Sequence, residues 1–121
     1  HGIGRRQRQM CIRDRKDRAQ WGHAQFFKRT SYIEGGMENE NFKAWGPEDE
    51  EKHYRFPKLG YNIGRIIDWV YHLEHSRGDD SERTNIYFHD NLKLMEDIRS
   101  LSEEELKNYY NTQEYLKKYH D

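Results

Sequence analysis

The chain has two prolines, Pro47 and Pro57, and between them stand four consecutive carboxylates, Glu48-Asp49-Glu50-Glu51. That bracket limits the local fold more than any other feature. Proline suits the first position of a helix, where the N–H it lacks would have no intrahelical partner. Acidic side chains suit the turn that follows, facing the positive end of the helix dipole. The spacing therefore predicts a helix that opens at Pro47, continues through Tyr54 and stops near Phe56. The stop follows because the residue before a proline is pushed out of the α region. Gly60 closes the next turn.

The acidic run admits two readings. One is helix capping alone. The other is chemical: adjacent carboxylates raise one another's pKa, and a carboxylate tuned towards neutrality is what a general base for a hydroxyl needs. Trp45-Gly46, immediately before the run, offers a flat apolar platform on a flexible hinge, suited to the face of a sugar.

Elsewhere, Ala24 to Ile33 holds Phe26, Phe27, Tyr32 and Ile33 and reads as a short strand followed by a helical turn. That turn ends at Gly35-Gly36, a pair that marks a tight backbone position. Asn39 to Gly46 reads as a loop. From Tyr61 to Tyr71 the pattern alternates, with Ile63, Arg65, Ile67, Trp69 and Tyr71 on one face and Ile66 and Val70 on the other. It predicts a largely buried strand. A polar stretch from Gly78 to Thr84 leads into two helices. Leu94, Met95, Ile98 and Leu101 form a stripe on the first. Ser102-Glu103-Glu104-Glu105 opens the second as a capping box, and Leu106, Tyr109, Tyr110 and Leu116 give it an apolar face that packs on a core.

How large a core the chain can bury is a question of composition. Of its 121 residues, 33% are apolar and 36% charged. Short chains already bury a smaller fraction of their surface than long ones, although three Trp, nine Tyr and five Phe offset this in part. The balance suits part of a domain whose other part lies elsewhere. A net charge of −1, from 21 basic and 22 acidic residues, gives no field that would draw nucleic acid or an anionic membrane. The single cysteine, Cys11, excludes a disulfide framework and a cysteine-based zinc site. No apolar run approaches the roughly 20 residues that span a bilayer. His1 to Arg18 is arginine-dense without any period. Within it Met10-Cys11-Ile12-Arg13-Asp14-Arg15 resembles a translated transposase-type sequencing adapter, so residues 1–15 are expected to be non-native and native sequence to begin near Lys16.

After the alternating segment comes His72-Leu73-Glu74-His75-Ser76-Arg77. Two histidines three apart can present imidazoles to one ion, though the spacing is also common on ordinary surfaces. Asp79 and Asp80 follow in a loop without an apolar anchor and are assigned to solvent.

Taken together, Gly35-Gly36-Met37, Asn41-Phe42, Trp45-Gly46-x-Glu48-Asp49-x-Glu51, Arg55, Leu59-Gly60-Tyr61 and Tyr71-His72-Leu73-x-His75-x-Arg77 resemble the C-terminal half of GT-A-fold glycosyltransferases. The likeness is to β-1,4-galactosyltransferases and chondroitin-polymerase-like bacterial enzymes, and it covers roughly Trp21 to Arg77, more weakly the final helices. It implies an α/β fold, the C-terminal portion of a nucleotide-diphospho-sugar transferase domain over 16–90 with a helical extension over 91–121. The missing N-terminal half of the same domain would lie upstream. The resemblance makes Asp49 the catalytic base, places Glu48 and Glu50 on the acceptor sugar, and sets Trp45 and Gly46 in the substrate loop. Gly22 falls at a donor-side position. His75 and His72 fall at the metal, Mn²⁺ or another divalent cation, with methionine often at the first position in the galactosyltransferases. The implied partners are a UDP-sugar donor and a carbohydrate acceptor. The implied setting is cytoplasmic or peripheral at a bacterial inner membrane.

The chain departs from that pattern where Pro47 replaces the usual second glycine and where Pro57 interrupts a helix that normally runs on to the Leu-Gly turn. No Asp-x-Asp occurs in it. The rival readings are a metal-dependent hydrolase, with His72, His75 and a carboxylate around zinc, and a non-enzymatic carbohydrate-binding module built on the aromatics.

Overall fold

The computed structural model describes residues 24–66, 76, 78 and 81–119. Four helices lie among them: α1, Arg29–Glu34; α2, Glu48–Lys58; α3, Phe88–Ser100; and α4, Glu103–Asn111, followed by a 3₁₀ segment, Glu114–Tyr119.

The acidic bracket does start a helix. Pro47 is its N-cap (φ −86°, ψ 28°) rather than its first residue, and the four carboxylates fill the first turn. The far end departs from expectation. The helix runs through Pro57 to Lys58, so the stop near Phe56 and the interruption at Pro57 are both corrected. A proline in the last turn removes only one intrahelical donor, and the amides beyond it reach back. Leu59 N–H donates to the Arg55 carbonyl (2.9 Å), Gly60 N–H to Pro57 (3.0 Å) and Tyr61 N–H to Phe56 (3.0 Å). Gly60, at φ +95°, supplies the left-handed residue that such an ending favours.

Among the described residues there is no strand. Residues 24–28 carry no regular structure, so the expected strand there is absent, whereas the helical turn after it is α1. The strand expected over Tyr61 to Tyr71 is likewise absent over residues 61–66, and its remainder lies outside the described residues. A strand needs a neighbouring edge to satisfy its N–H and C=O groups, and no described segment offers one.

The C-terminal helices follow the sequence more closely. On α3, Met95 and Ile98 are buried and Leu94 and Leu101 half-buried, the predicted stripe. The capping box forms: Glu105 N–H donates to Ser102 Oγ (3.2 Å) and Ser102 N–H to Glu105 Oε1 (3.0 Å). Leu106 and Tyr110 are buried on α4, but Leu116 reaches the core from the 3₁₀ segment instead of the same helix.

Ile98, Leu106 and Tyr110 form the core cluster, with Phe42, Tyr54, Leu59 and Leu101 packed against it. Beside it lies an ionic centre. Arg55 and Glu51 are fully buried and paired in a bidentate fashion along one guanidinium edge, Nε to Oε1 and Nη2 to Oε2, each at 2.9 Å. Arg55 also donates to the carbonyls of Gly35 (2.7 Å) and Met37 (2.8 Å). Tyr110 donates its hydroxyl to Glu51 Oε1 and accepts from Asn39 Nδ2 at 3.1 Å. A buried pair is tolerable only when its remaining valences are filled in this way. The same centre explains Gly36. Its φ of +100° is in the left-handed region, and a Cβ there would strike the Tyr110 ring and the Arg55 guanidinium.

No helix among the described residues is long and apolar enough to cross a membrane.

Candidate functional site

The Trp45-Gly46-Pro47 segment is held from α3 and the loop before it. Asn91, buried on the first turn of α3, accepts from Lys43 N–H (3.1 Å) and donates to the carbonyls of Lys43 (2.7 Å) and Trp45 (3.3 Å). Asn85 donates to the Trp45 carbonyl as well, at 3.0 Å. Ala44, at φ +57°, takes a left-handed conformation that a non-glycine residue adopts only under constraint from its surroundings. Gly46 passes so near Asn91 that a Cβ would lie 2.7 Å from its Nδ2. The segment expected to be a flexible hinge is therefore fixed at its carbonyl by two asparagine side chains. Trp45 is half-buried, its ring stacked on Phe88 (centroids 5.9 Å, 19° between planes) with the Arg83 guanidinium 5.9 Å from its centroid.

From this anchored segment α2 projects its carboxylates, and the four have different fates. Glu48 is half-buried; its Oε2 is shielded from solvent and has no hydrogen-bond partner among the described residues. Burial pushes its pKa upward, the charge of Asp49 adds to the shift, and nearby backbone amides offset part of it. Asp49 lies in the same turn with its side chain 39% exposed and its Oδ1 3.0 Å from Lys52 Nζ. Glu50 is exposed and pairs with Arg99 at 2.8 Å. Glu51 belongs to the buried ionic centre.

Lys52 was not singled out in the sequence. Its side chain is 7% exposed, and besides Asp49 it meets Glu38 Oε1 at 2.7 Å. Glu38 in turn accepts from the Tyr32 hydroxyl of α1 (3.1 Å), and burial together with the Glu38 charge pushes that phenol up to about 12. The upward shift of Glu48 therefore comes first from burial and only secondarily from its acidic neighbour, while the carboxylate of Asp49 is held by a cation.

An open cleft of about 530 Å³ lies elsewhere, between His53, Pro57, Gly60, Tyr61, Ile63 and Arg65. It opens near the C-terminal end of α2, and the helical rise of ~1.5 Å per residue puts Pro57 about 12 Å along the axis from Asp49. Burial, with the neighbouring charge of Arg65, lowers the pKa of His53 there.

Of the residues expected to act together, Glu48, Asp49 and Glu50 share the first turn of α2, and Trp45 and Gly46 lie in the segment directly before it. Gly22, His72 and His75 lie outside the described residues. Among the described residues no group of three His, Cys, Asp or Glu side chains is gathered to hold a metal ion. The residues missed by sequence reading, Lys52, Glu38, Asn85 and Asn91, are polar side chains in ordinary polar positions. Burial marks Lys52, Asn85 and Asn91, and only its partners mark the exposed Glu38; neither has a signature in so polar a stretch. No protein-family model matches the chain, and no curated protein or solved structure matches it either.

Proposed function

We propose that the chain is the acceptor-side catalytic part of an inverting glycosyltransferase of GT-A type. It would move a galactose- or N-acetylhexosamine-type sugar from a UDP-sugar to a carbohydrate acceptor. One observation carries the reading: Asp49 stands in the first turn of α2, directly after the anchored Trp45 segment, held by Lys52 yet 39% exposed. The assignment of the base to this position comes from the sequence resemblance, and the accessible, cation-held carboxylate is compatible with it.

In this reading the acceptor hydroxyl gives its proton to Asp49 as its oxygen attacks the anomeric carbon. The bond from that carbon to the diphosphate breaks on the opposite face, and UDP leaves with the electron pair. Glu50 orients the acceptor; its surface pair with Arg99 is worth little and is readily exchanged for a hydroxyl. Glu48 offers its second contact, and Trp45 and Gly46 flank the sugar. Such positioning can contribute several kcal/mol to the rate. His75 and His72 are the proposed holders of Mn²⁺, which when bound supplies Lewis-acid stabilisation of the departing diphosphate. The α/β class, the donor-side role of Gly22 and a bacterial cytoplasmic or inner-membrane setting belong to the same proposal.

The test is acceptor-dependent release of UDP in the intact enzyme, with and without Mn²⁺. Acceptor-dependent, metal-stimulated release is expected. His75→Ala should raise the Mn²⁺ concentration needed by about tenfold or more, since even partners behind a direct ligand have effects of that order. Metal-dependent hydrolysis without any acceptor would favour the hydrolase, and sugar binding with no UDP release would leave only a binding module.

A further inference from the structure

We propose that Lys52 is the positioning residue for the base, clamping the Asp49 carboxylate to Glu38 and so to the turn that follows α1. The inference rests on the reading of Asp49 as the base and goes beyond it by naming what orients that group.

Lysine is among the residues least often buried unless paired, yet this side chain is 7% exposed. Its Nζ stands 2.7 Å from Glu38 Oε1 and 3.0 Å from Asp49 Oδ1, a single ammonium bridging two carboxylates. The i, i+3 relation to Asp49 places the two on neighbouring turns of one helix face. Glu38 is fixed in turn by the Tyr32 hydroxyl at 3.1 Å, so α1, the segment after Gly36 and the start of α2 converge on this ammonium. Surface pairs hold side chains weakly; here the cation is buried and only its carboxylates face outward. The clamp engages Oδ1 alone and leaves the carboxyl partly exposed, as a base facing an incoming hydroxyl requires. A misplacement of about 1 Å at a reacting group can lower a rate on the order of a hundredfold.

The experiment is a double-mutant cycle of Lys52→Met and Asp49→Asn in the intact enzyme, with kcat and both KM values measured. Folding is followed by circular dichroism. Lys52→Met should lower kcat by about ten- to a hundredfold while donor KM stays within about twofold. In the Asp49→Asn background the same change should have no further effect on kcat, because nothing remains to be oriented. Lys52→Arg, which keeps the charge, should recover a large part of the loss. If Lys52→Met does not fold, Lys52→Gln, which keeps a donor without the charge, is read in its place with the same expectation. An unchanged kcat in Lys52→Met or Lys52→Gln, beside an inactive Asp49→Asn, overturns the clamp and leaves the base standing. Losses that multiply in the double variant also overturn it, since they would show a role independent of Asp49. Near-normal turnover in Asp49→Asn removes the base, and the clamp with it.

Discussion

Glu48 and Glu51 occupy the same turn of α2 and carry the same carboxylate, yet their surroundings are opposed. Glu51 is wholly buried and every interaction it needs is made, through two bonds from Arg55 and one from Tyr110. Glu48 is half-buried and keeps one shielded oxygen without a partner among the described residues. Between them Asp49 and Glu50 reach solvent and one cation each. A run of four acids is therefore two different devices. Its last member is a piece of the core, and its first three lie at the surface, Asp49 and Glu50 each paired with a cation and Glu48 half-buried. An acidic run on a helix carries chemistry where the fold leaves it incompletely paired, and stability where the pairing is complete.

The strongest way to break that contrast is to unpair the buried end. Arg55→Met leaves Glu51 charged and buried without its cation, and about 3–5 kcal/mol of stability should be lost. Glu51→Leu combined with Arg55→Met should be more stable than Arg55→Met alone, because no buried charge is then left uncompensated. Urea unfolding of the three proteins checks both statements; a double variant less stable than the single one would deny the pair its role.

At the exposed end the effect should fall on rate instead. Asp49→Asn should lower turnover by about a hundredfold, the scale of a lost general base, while its unfolding midpoint stays close to that of the parent. Steady-state kinetics alongside thermal melts would show the two ends of the run exchanging roles if stability fell and turnover did not.

Gly36→Ala should cost on the order of 1–3 kcal/mol, from a strained left-handed residue and from displacing Tyr110 and Arg55. A melt that does not move would mean that the ionic centre yields easily.

The subtlest expectation concerns pH. Burial raises the pKa of Glu48, so the folded chain holds that proton more readily than the unfolded one. The resulting contribution favours folding below the ordinary glutamate range and is lost as pH rises through the raised value. Glu48→Gln removes the titration, so the stability of the variant relative to the parent should improve from pH 4 to pH 7. Equal differences at the two pH values would show that Glu48 titrates alike in both states.

Much of the helical framework was legible in the residues themselves. The start of α2, the stripe on α3 and the box at Ser102 are all set within about four residues, the range of dipoles, caps and helical periodicity. The end of α2 was misread for a related reason. Pro57 is a local stop signal, but the amides of Leu59, Gly60 and Tyr61 fold back to complete the turn. Over residues 61–66 the alternation that begins at Tyr61 forms no strand, and among the described residues no neighbouring edge is offered to it. Within the candidate site the acids and the tryptophan stood out by type and spacing. Which acid is satisfied did not. That was decided by Tyr110, 59 residues from Glu51, and by Glu38, 14 residues from Lys52, just as Asn91, 46 residues from Trp45, decided how the tryptophan segment is held. Partners that far apart share no period and no cap, and only the tertiary fold, loops and helices together, brings their hydrogen-bonding atoms within reach.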